Sequence, residues 1–309
     1  MKICFLFPGQ GTQKPGMMRG LENDMDKVQG IFEIASEVTH RDVRRLCMTA
    51  SEEELRKTEN TQIAVTAMNL AYDCLMRQEY LLPDLVAGHS LGQFSALNAS
   101  GVFTLSQTFQ IVQKRAQMME KIQKTGILCT ILGMTCEEVK KICKTVDPSG
   151  ERVAVALHNT ENQVVIGGEE KMVREAERKC MQEGAVRTAM VNVSNAFHTP
   201  LMREMEAAFF PLMDQILLQP PKCGVLLNCK GDYARDVEEI RQDIKEQCTH
   251  MVRWYDCMKK ILLWENIIFV EVGVGKTLTG MIRSMRVKEK CYVVSDGKDL
   301  KKLRELCSR

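Results

Sequence analysis

The sequence predicts an α/β protein whose core is built from both ends of the chain and is interrupted by a small inserted subdomain. Near both ends, short apolar runs alternate with amphipathic stretches, which is typical of buried strands connected by helices. In between, the predicted elements follow the order β-α-β-β-α-β, the ferredoxin-like signature. We therefore assign residues 1–125 and 194–309 to the core and residues 126–193 to the insert.

Local patterns predict the elements of the first core segment. The run Ile3–Phe7 is apolar and is ended by Pro8-Gly9, so we expect a buried first strand. Thr104 is a suitable N-cap for a long helix. The predicted helices cover Met25–Glu37, Glu52–Lys57, Gln62–Arg77, Phe94–Ala99 and the stretch from Thr104 to about Gln123, and a short strand covers Asp84–Ala87.

The insert and the second core segment follow in the same way. In the insert, strands are predicted over Ile127–Leu132, Val153–Leu157, Val164–Ile166 and Val186–Val193, helices over Cys136–Val146 and Glu169–Glu183, and a polar turn over His158–Gln163. In the second core segment, helices are predicted over Leu201–Ile216 and Asp236–Lys245, and strands over Gly224–Asn228, Ile267–Val272 and Tyr292–Ser295.

Composition narrows the possible functions. The 309 residues include 42 Lys and Arg against 40 Asp and Glu, which gives a net charge of +2. This balance argues against a nucleic-acid binder, which would need a basic excess. No apolar run reaches the roughly 18 residues of a membrane helix. The first apolar run is shorter than the about 7 residues that an export signal needs, so we expect a cytoplasmic protein that does not act on membranes.

Thirteen cysteines are scattered along the chain without a CxxC pair. They form no His/Cys cluster at zinc spacing either. We interpret them as reduced core residues rather than as a disulfide framework, and we predict no metal site.

The segment Gly88-His89-Ser90-Leu91-Gly92 matches G-x-S-x-G between a predicted strand and a predicted helix. A nucleophile elbow needs this context, because the glycines allow a sharp turn that exposes the serine oxygen. The helix N-terminus adds a positive end where negative charge would develop. Ser90 is therefore the candidate nucleophile; the alternative is a tight turn whose serine caps the helix.

A nucleophilic serine needs a base, and the chain has five histidines. His89 adjoins the serine and is expected to leave the elbow in another direction, while His40 lies in a charged stretch typical of a surface. His158 is expected in a turn, and His250 has no marked context. His198 lies in a small-residue loop where the insert returns to the core, so it is the candidate base; a satisfied loop residue is the alternative.

Chain order sets this arrangement apart from ordinary α/β-hydrolases, which run serine, acid and then a histidine near the C-terminus. More than a hundred residues follow His198. A Ser–His dyad, in which a carbonyl oxygen orients the histidine, fits the sequence better.

One arginine and two loops are further candidate binding features. Arg115 lies in the predicted long helix, where its guanidinium suits a carboxylate; a solvated face or a structural ion pair is the alternative. The loop Phe7–Gln13 has two glycines and two amides but lacks both phosphate-binding spacings. Gly273–Thr277 ends in Gly-Lys-Thr, but the first glycine of a P-loop would fall on Val270, so we interpret it as a strand-to-helix turn.

These motifs, in this order, resemble the malonyl-CoA:acyl-carrier-protein transacylases and the acyltransferase domains of fatty-acid and polyketide synthases. The likeness covers nearly the whole chain, and several separate motifs in register are more specific than the elbow alone. The motifs are Phe7–Gln13, Thr61-Gln62, Gly88–Gln93, Arg115, Asn195–His198, Gln247 with Val252-Arg253-Trp254, and Gly273–Lys276.

The resemblance implies an α/β-hydrolase-like large subdomain with the ferredoxin-like insert, and a ping-pong reaction without a cofactor. A malonyl group would pass from malonyl-CoA to the serine and then to the phosphopantetheine thiol of an acyl carrier protein. The implied roles are Ser90 and His198 as catalytic residues, the backbone N–H groups of Gln10 and Leu91 as the oxyanion hole, Arg115 as the carboxylate-binding residue, the Gln247 carbonyl as the group that orients His198, and Gln62, Asn195 and Phe197 as pocket residues.

Phe197 resembles the choice that selects malonyl groups in this family, since a ring there crowds an α-methyl branch; this gives a preference of about 10–200-fold. The sequence departs from the family pattern at Lys14-Pro15, at Ile63 and Met251 in place of prolines, and at Asn228–Lys230. We expect none of these positions to touch the chemistry.

Three other functions remain open at this point: an acyl-carrier-protein thioester hydrolase, the transacylase subunit of a malonate decarboxylase, and a catalytically silent docking module. Arg115 argues against the hydrolase, because neutral acyl chains have no use for a desolvated cation. We expect a monomer whose surface Lys and Arg near the cleft meet an acidic carrier helix. The sequence does not separate fatty-acid from polyketide synthesis.

Overall fold

A computed structural model describes residues 1–122, 126–191, 195–294 and 297–307 of the chain. The strands are β1 (Lys2–Phe7), β2 (Leu85–Gly88), β3 (Ile127–Leu132), β4 (Val153–Thr160), β5 (Gln163–Gly168), β6 (Arg187–Val191), β7 (Gly224–Val225), β8 (Ile267–Val272) and β9 (Cys291–Val294). The helices are α1 (Met25–Thr39), α2 (Val43–Thr49), α3 (Glu52–Arg56), α4 (Thr58–Gln78), α5 (Gly92–Ala99), α6 (Leu105–Lys121), α7 (Cys136–Val146), α8 (Glu170–Gln182), α9 (Arg203–Gln215), α10 (Val237–Glu246), α11 (Trp254–Ile261), α12 (Thr277–Ser284) and α13 (Gly297–Cys307), and 3₁₀ turns cover Met17–Asp24 and Pro200–Met202.

Strands from both ends of the chain form one parallel sheet, in the order β7-β2-β1-β8-β9. β1 lies at its centre and is buried on both faces. Phe5 and Phe7 pack into one apolar cluster, and Cys4 and Leu6 pack into another. Central strands of parallel sheets are apolar on both faces because helices cover both sides. The predicted α/β class is confirmed.

Helix α4 is buried along nearly its whole length and packs in the same apolar cluster as Phe5 and Phe7 of β1 and Val86 of β2. Its Asn69 donates one hydrogen bond to the Pro8 carbonyl at 3.0 Å and one to Ser95 Oγ at 3.2 Å. Helix α6 begins at the predicted N-cap, where Thr104 and Gln107 form a reciprocal capping box. The Asn69 hydrogen bonds fix α5 relative to the loop after β1.

The insert forms an antiparallel sheet in the order β4-β5-β3-β6, with α7 and α8 packed on it. This arrangement confirms the predicted ferredoxin-like order. Leu157 of β4 makes an isolated bridge with Val252, which ties the insert to the second core segment. The predicted subdomain boundaries, at 125/126 and 193/194, fall on segments 123–125 and 192–194, which lie outside the described residues, so the boundaries stay predictions.

Several element ends differ from prediction. β4 continues through Thr160 and β5 begins at Gln163, so the turn predicted over His158–Gln163 is limited to residues 161–162 and His158 lies in a strand. The strand predicted over Gly224–Asn228 is limited to Gly224–Val225, because the following residues turn to pair Leu226 with Tyr233. The helix α4 begins one turn before its predicted start. The predicted ends at Gln123, Val193 and Ser295 lie outside the described residues.

Among the described residues, no helix is long and apolar enough to cross a lipid bilayer. All thirteen cysteines belong to this part of the chain and carry free thiols. Burial raises the pKa of the Cys47 and Cys257 thiols. These thiols therefore stay protonated and pack as small apolar groups.

Candidate active site

The turn between β2 and α5 presents Ser90 in a conformation that few residues adopt. Ser90 has a φ of 52°, in the left-handed region, where a non-glycine residue is strained. The turn is possible because Gly88 and Gly92 lack side chains. A Cβ on Gly88 would lie 2.1 Å from the Gly92 backbone, and a Cβ on Gly92 would lie 1.9 Å from the Phe7 carbonyl oxygen. The geometry is that of a nucleophile elbow.

The side chain of Asn228 forms hydrogen bonds to two backbone groups of this turn. Its Oδ1 accepts a hydrogen bond from the Ser90 N–H at 2.8 Å, and its Nδ2 donates to the Gly88 carbonyl at 2.8 Å. The expectation that Asn228–Lys230 would not touch the chemistry is therefore wrong at Asn228. The strained turn is stabilised by a side chain that lies 138 residues away in sequence.

His198 lies next to the serine. Ser90 Oγ is 2.7 Å from His198 Nε2, and His198 Nδ1 is 2.7 Å from the Gln247 carbonyl oxygen. A carbonyl oxygen only accepts, so Nδ1 carries the proton and Nε2 is free to accept the serine proton. The structure therefore brings together Ser90, His198 and the Gln247 carbonyl, the arrangement expected of a Ser–His dyad.

The imidazole is held neutral by its surroundings. His198 is buried, and burial lowers its pKa to about 3, with the nearby positive charge of Arg115 as the second cause. The neutral form is the form that accepts a proton. His198 is therefore ready to act as a base over the whole neutral range.

This lowered pKa predicts how Ser90 reactivity depends on pH. A histidine with an ordinary pKa of about 6.5 would lose about three quarters of its neutral form between about pH 8 and about pH 6. His198, with its pKa lowered to about 3, should keep its neutral form over the same range. We expect the rate at which a fluorophosphonate probe labels Ser90 to stay constant there. A fall with a midpoint near the ordinary value would contradict this result.

Arg115 is a buried cation beside the dyad. It is 1% exposed, and its Nη2 lies 3.5 Å from Ser90 Oγ. Its Nη1 donates to Gln62 Oε1 at 2.8 Å and its Nη2 to Gln247 Oε1 at 3.1 Å, while its Nε has no partner among the described residues.

None of the ion pairs found in the described part of the chain involves Arg115. Burying a charge without a counter-charge is costly, so buried arginines are normally paired. A guanidinium that contacts only neutral groups among the described residues is therefore suited to receive an anionic group, next to the serine oxygen.

The backbone N–H groups of Gln10 and Leu91 have no acceptor in the described ranges. Both residues line the cavity at Ser90. The loop that carries Gln10 lies directly against the elbow, because a Cβ on Gly9 would lie 2.5 Å from the His89 carbonyl oxygen. These two N–H groups are available for an oxyanion, as the resemblance implies.

The cavity around the dyad has a volume of about 190 Å³ and lies between the core and the insert. The core side contributes the loop after β1, and the insert contributes Leu128, Leu157 and Val191. Phe197 also lines the cavity. A cavity of this size, lined by apolar side chains together with Ser90, Arg115 and His198, suits a mostly apolar substrate arm.

The three predicted pocket residues do not all line the cavity. Phe197 lines the cavity, whereas Gln62 and Asn195 are not among the described residues that line it. Gln62 contacts Arg115, and Asn195 donates to the Met119 carbonyl at 3.2 Å. These two residues therefore lie one layer behind the cavity wall.

The other histidines do not reach the serine. His89 Nε2 lies 2.8 Å from Asn159 Oδ1, and the ring packs edge-on against Trp254. His40 and His250 are exposed, and His158 lies in β4. No group of His, Cys, Asp and Glu side chains suited to a metal ion occurs within the described residues.

Three polar residues support the site in roles that the sequence does not predict: Asn228, Gln93 and Asp243. Gln93 Nε2 donates to Asp243 Oδ2 at 2.7 Å, deep in the core behind the elbow. A buried carboxylate on an amphipathic helix leaves no signal in the sequence, because its partners come from distant segments.

The family model described as acyl transferase domain matches residues 4–299. The malonyl CoA-acyl carrier protein transacylase of Bacillus subtilis strain 168 is 31% identical over 297 residues, which cover 96% of this chain and 94% of that protein. The relative of the same name from Staphylococcus aureus strain N315 is 30% identical and covers 97% of both chains.

Solved structures agree with these relatives. A malonyl-transacylase in complex with its type II PKS acyl-carrier protein superimposes with a TM-score of 0.94 and 30% identity, covering 99% of this chain and 100% of that chain. An acyl carrier protein S-malonyltransferase from Vibrio cholerae gives a TM-score of 0.94 and 30% identity, covering 98% and 100%. The chain therefore belongs to the acyl transferase domain family and, within it, to the malonyl-CoA:acyl-carrier-protein transacylases.

Proposed function

We propose that the protein transfers a malonyl group from malonyl-CoA to the phosphopantetheine thiol of an acyl carrier protein. The observation that carries the proposal is Arg115, a buried guanidinium without a carboxylate partner among the described residues. It lies 3.5 Å from the oxygen of a serine that is hydrogen-bonded to a neutral histidine. The names of the relatives, which are malonyl transacylases, support the same substrate.

In the first half-reaction, Ser90 Oγ attacks the thioester carbonyl as its proton passes to His198 Nε2. The N–H groups of Gln10 and Leu91 receive the negative charge on the carbonyl oxygen; one such donor is typically worth about 10²–10³ in rate. The C–S bond then breaks, and the departing CoA sulfur takes the proton from His198. The product is a malonyl ester of Ser90.

In the second half-reaction, the phosphopantetheine thiol enters the cavity that CoA has left. His198 accepts the thiol proton as the sulfur attacks the ester carbonyl, and then returns it to Ser90 Oγ as the ester bond breaks. One base therefore serves both steps. CoA and phosphopantetheine are substrates in this scheme, and it uses no bound cofactor.

Arg115 gives the scheme its acyl-group preference. The free carboxylate of a malonyl ester on Ser90 would meet the guanidinium in a charge-assisted, bidentate contact. Gln62 and Gln247 hold the guanidinium in place through hydrogen bonds of 2.8 and 3.1 Å. Phe197 borders the same space, so an α-methyl branch would be crowded.

A hydrolase of neutral acyl chains is disfavoured by the same cation, which such chains would leave buried and unpaired. The cytoplasmic location and the monomeric state stay predictions. One solved neighbour is named with a type II PKS acyl-carrier protein, whereas the names of the curated relatives give only an acyl carrier protein. The carrier partner is therefore proposed only as an acyl carrier protein.

The proposal is tested by the mass of the intact protein after exposure to malonyl-, methylmalonyl- and acetyl-CoA. We expect a malonyl adduct on Ser90 that forms fastest with malonyl-CoA, and that disappears when a carrier protein with its phosphopantetheine thiol is added. The carrier should gain the malonyl group. An adduct that is lost to water at the same rate without the carrier would instead indicate a hydrolase, and no adduct from malonyl-CoA would contradict the proposal.

A further inference from the structure

Asp243 is a buried carboxylate that lies outside the reaction scheme. It projects from α10, is 5% exposed and accepts four hydrogen bonds. Its Oδ2 accepts from Gln93 Nε2 at 2.7 Å and from the Asn228 N–H at 3.0 Å, and its Oδ1 accepts from the Cys229 N–H at 2.8 Å and from the Lys230 N–H at 3.1 Å.

All four partners are donors, so each contact is satisfied by an ionised carboxylate. Burial raises the pKa of Asp243, and these hydrogen bonds oppose that rise. A protonated carboxyl would point its O–H at a donor. Burial of the ionised carboxylate costs desolvation free energy, and in return both of its oxygens can accept hydrogen bonds.

One branch from Asp243 leads to the nucleophile. Three consecutive backbone N–H groups, from Asn228 to Lys230, converge on the carboxylate and fix the loop after β7. That loop holds the Asn228 side chain, which clamps the N–H of Ser90 and the carbonyl of Gly88.

A second series of hydrogen bonds leads from Asp243 to the guanidinium of Arg115. Because the carboxylate only accepts, Gln93 must turn its NH₂ toward Asp243 and its oxygen toward Gln247. Gln247 Nε2 donates to that oxygen at 2.5 Å and to the Ser90 carbonyl at 3.0 Å. The oxygen of the Gln247 side chain is then left to face Arg115 Nη2, at 3.1 Å.

From this network we infer that Asp243 is a positioning residue whose carboxylate sets the orientation of two successive side-chain amides, so that Arg115 meets an oxygen, and also fixes the loop that clamps Ser90. The inference rests on the proposed function for its malonyl readout. The inference depends on the direction of donation. Arg115 donates to Gln247, Gln247 donates to Gln93, and Gln93 donates to the carboxylate of Asp243.

Asparagine at this position would turn an NH₂ group toward donors in either of its two orientations. Its NH₂ group would face either the N–H groups of Cys229 and Lys230, or the NH₂ of Gln93 together with the Asn228 N–H. In the second case Gln93 and then Gln247 must turn over, and an NH₂ group would face Arg115. We expect D243N to slow malonylation of Ser90 by about tenfold or more, since a hydrogen bond to a charged group is worth about 1.5–3 kcal/mol. Acetylation, which does not use the Arg115 contact to a substrate carboxylate, should slow less.

Gln93 offers a second-site test. In Q93E the two carboxylates would face each other without a donor between them, so this variant should also be slow. In the double variant Q93E/D243N, the NH₂ of asparagine donates to the new carboxylate, which again accepts from Gln247. The asparagine oxygen still accepts from Cys229 and Lys230, and the Asn228 N–H loses its acceptor. The double variant should therefore malonylate faster than either single variant, by about tenfold by the same estimate.

The experiment compares wild type, D243N, Q93E, the double variant and the matched control E238Q, an exposed carboxylate on the same helix. Rate constants for malonyl and acetyl adduct formation are measured by intact mass, with circular dichroism melting on each protein. E238Q should match wild type, and the double variant should recover the malonyl-to-acetyl rate ratio.

A double variant no faster than the slower single variant, or a D243N protein with wild-type rates, would overturn the inference. If D243N alone fails to fold, Q93E and the double variant still decide between these results. If the wild type forms no acyl adduct, the proposed function fails. The same five proteins are then compared by the rate of fluorophosphonate labelling of Ser90. This rate depends on how Asn228 holds the turn at Ser90, and its measurement needs no acyl-CoA. Slower labelling in D243N with recovery in the double variant would support the inference, and equal labelling in all five would overturn it.

Discussion

Replacing Ser90 with alanine is expected to abolish the malonyl adduct and to lower carrier malonylation by about 10⁴-fold or more, as seen when a nucleophile is removed from other serine enzymes. The serine oxygen is the atom to which the acyl group is bound between the two half-reactions, and His198 is its hydrogen-bond partner at 2.7 Å. Without that oxygen neither half-reaction can proceed by the ping-pong route. The measurements are intact mass after exposure to malonyl-CoA and the rate of carrier malonylation.

The His198→Ala variant should be impaired to a similar extent, and combining the two substitutions should add little, because the two residues act as a unit. Ser284→Ala, at an exposed serine on α12, is the matched control and should label at the wild-type rate. A malonyl adduct on the Ser90→Ala protein would place the nucleophile elsewhere.

The sequence was most informative where structure depends on neighbouring residues. The elbow glycines, the capping box at Thr104 and the apolar strand β1 are local patterns, and the structure contains them where the patterns predict. The short helices α2 and α11 were missed, since a few turns of helix leave little periodicity in the sequence.

The site was harder to predict from the residues alone because its parts are distant in sequence. Ser90 and His198 are 108 residues apart, and Arg115 meets the side chain of Gln247 across 132 residues. Only the fold brings these groups together. The residue patterns alone therefore leave a structural alternative for each: an ordinary loop residue for His198, and a solvated or ion-paired residue for Arg115. The family resemblance, which carries the fold with it, supplied their expected roles.

The supporting network shows the limit of both kinds of reasoning. Asn228 is a departure from the family pattern that the sequence alone marks as neutral, and Asp243 is one residue of a predicted helix. Their importance lies in which atoms accept and which donate, and this becomes visible only when the four donors around Asp243 are seen together.

Replacing Arg115 with alanine is expected to lower kcat/KM for malonyl-CoA by about 10²–10³-fold, since truncating one partner of a buried charge pair costs about 2–5 kcal/mol. The same variant should keep most of its activity toward acetyl-CoA. An acetyl group has no carboxylate to pair with the guanidinium, and removal of the cation also removes one cause of the lowered pKa of His198, which leaves the base no weaker.

The comparison of two substrates in one variant is what makes this result specific. Loss of the buried side chain leaves a space and two amide oxygens without their donor, and any resulting disorder of the dyad would slow both substrates equally. Lys114→Ala, at the exposed neighbouring cation on α6, controls for loss of charge on the helix and should leave both rates unchanged. An equal fall for malonyl- and acetyl-CoA in Arg115→Ala would therefore assign Arg115 a structural role and remove the observation on which the malonyl preference rests.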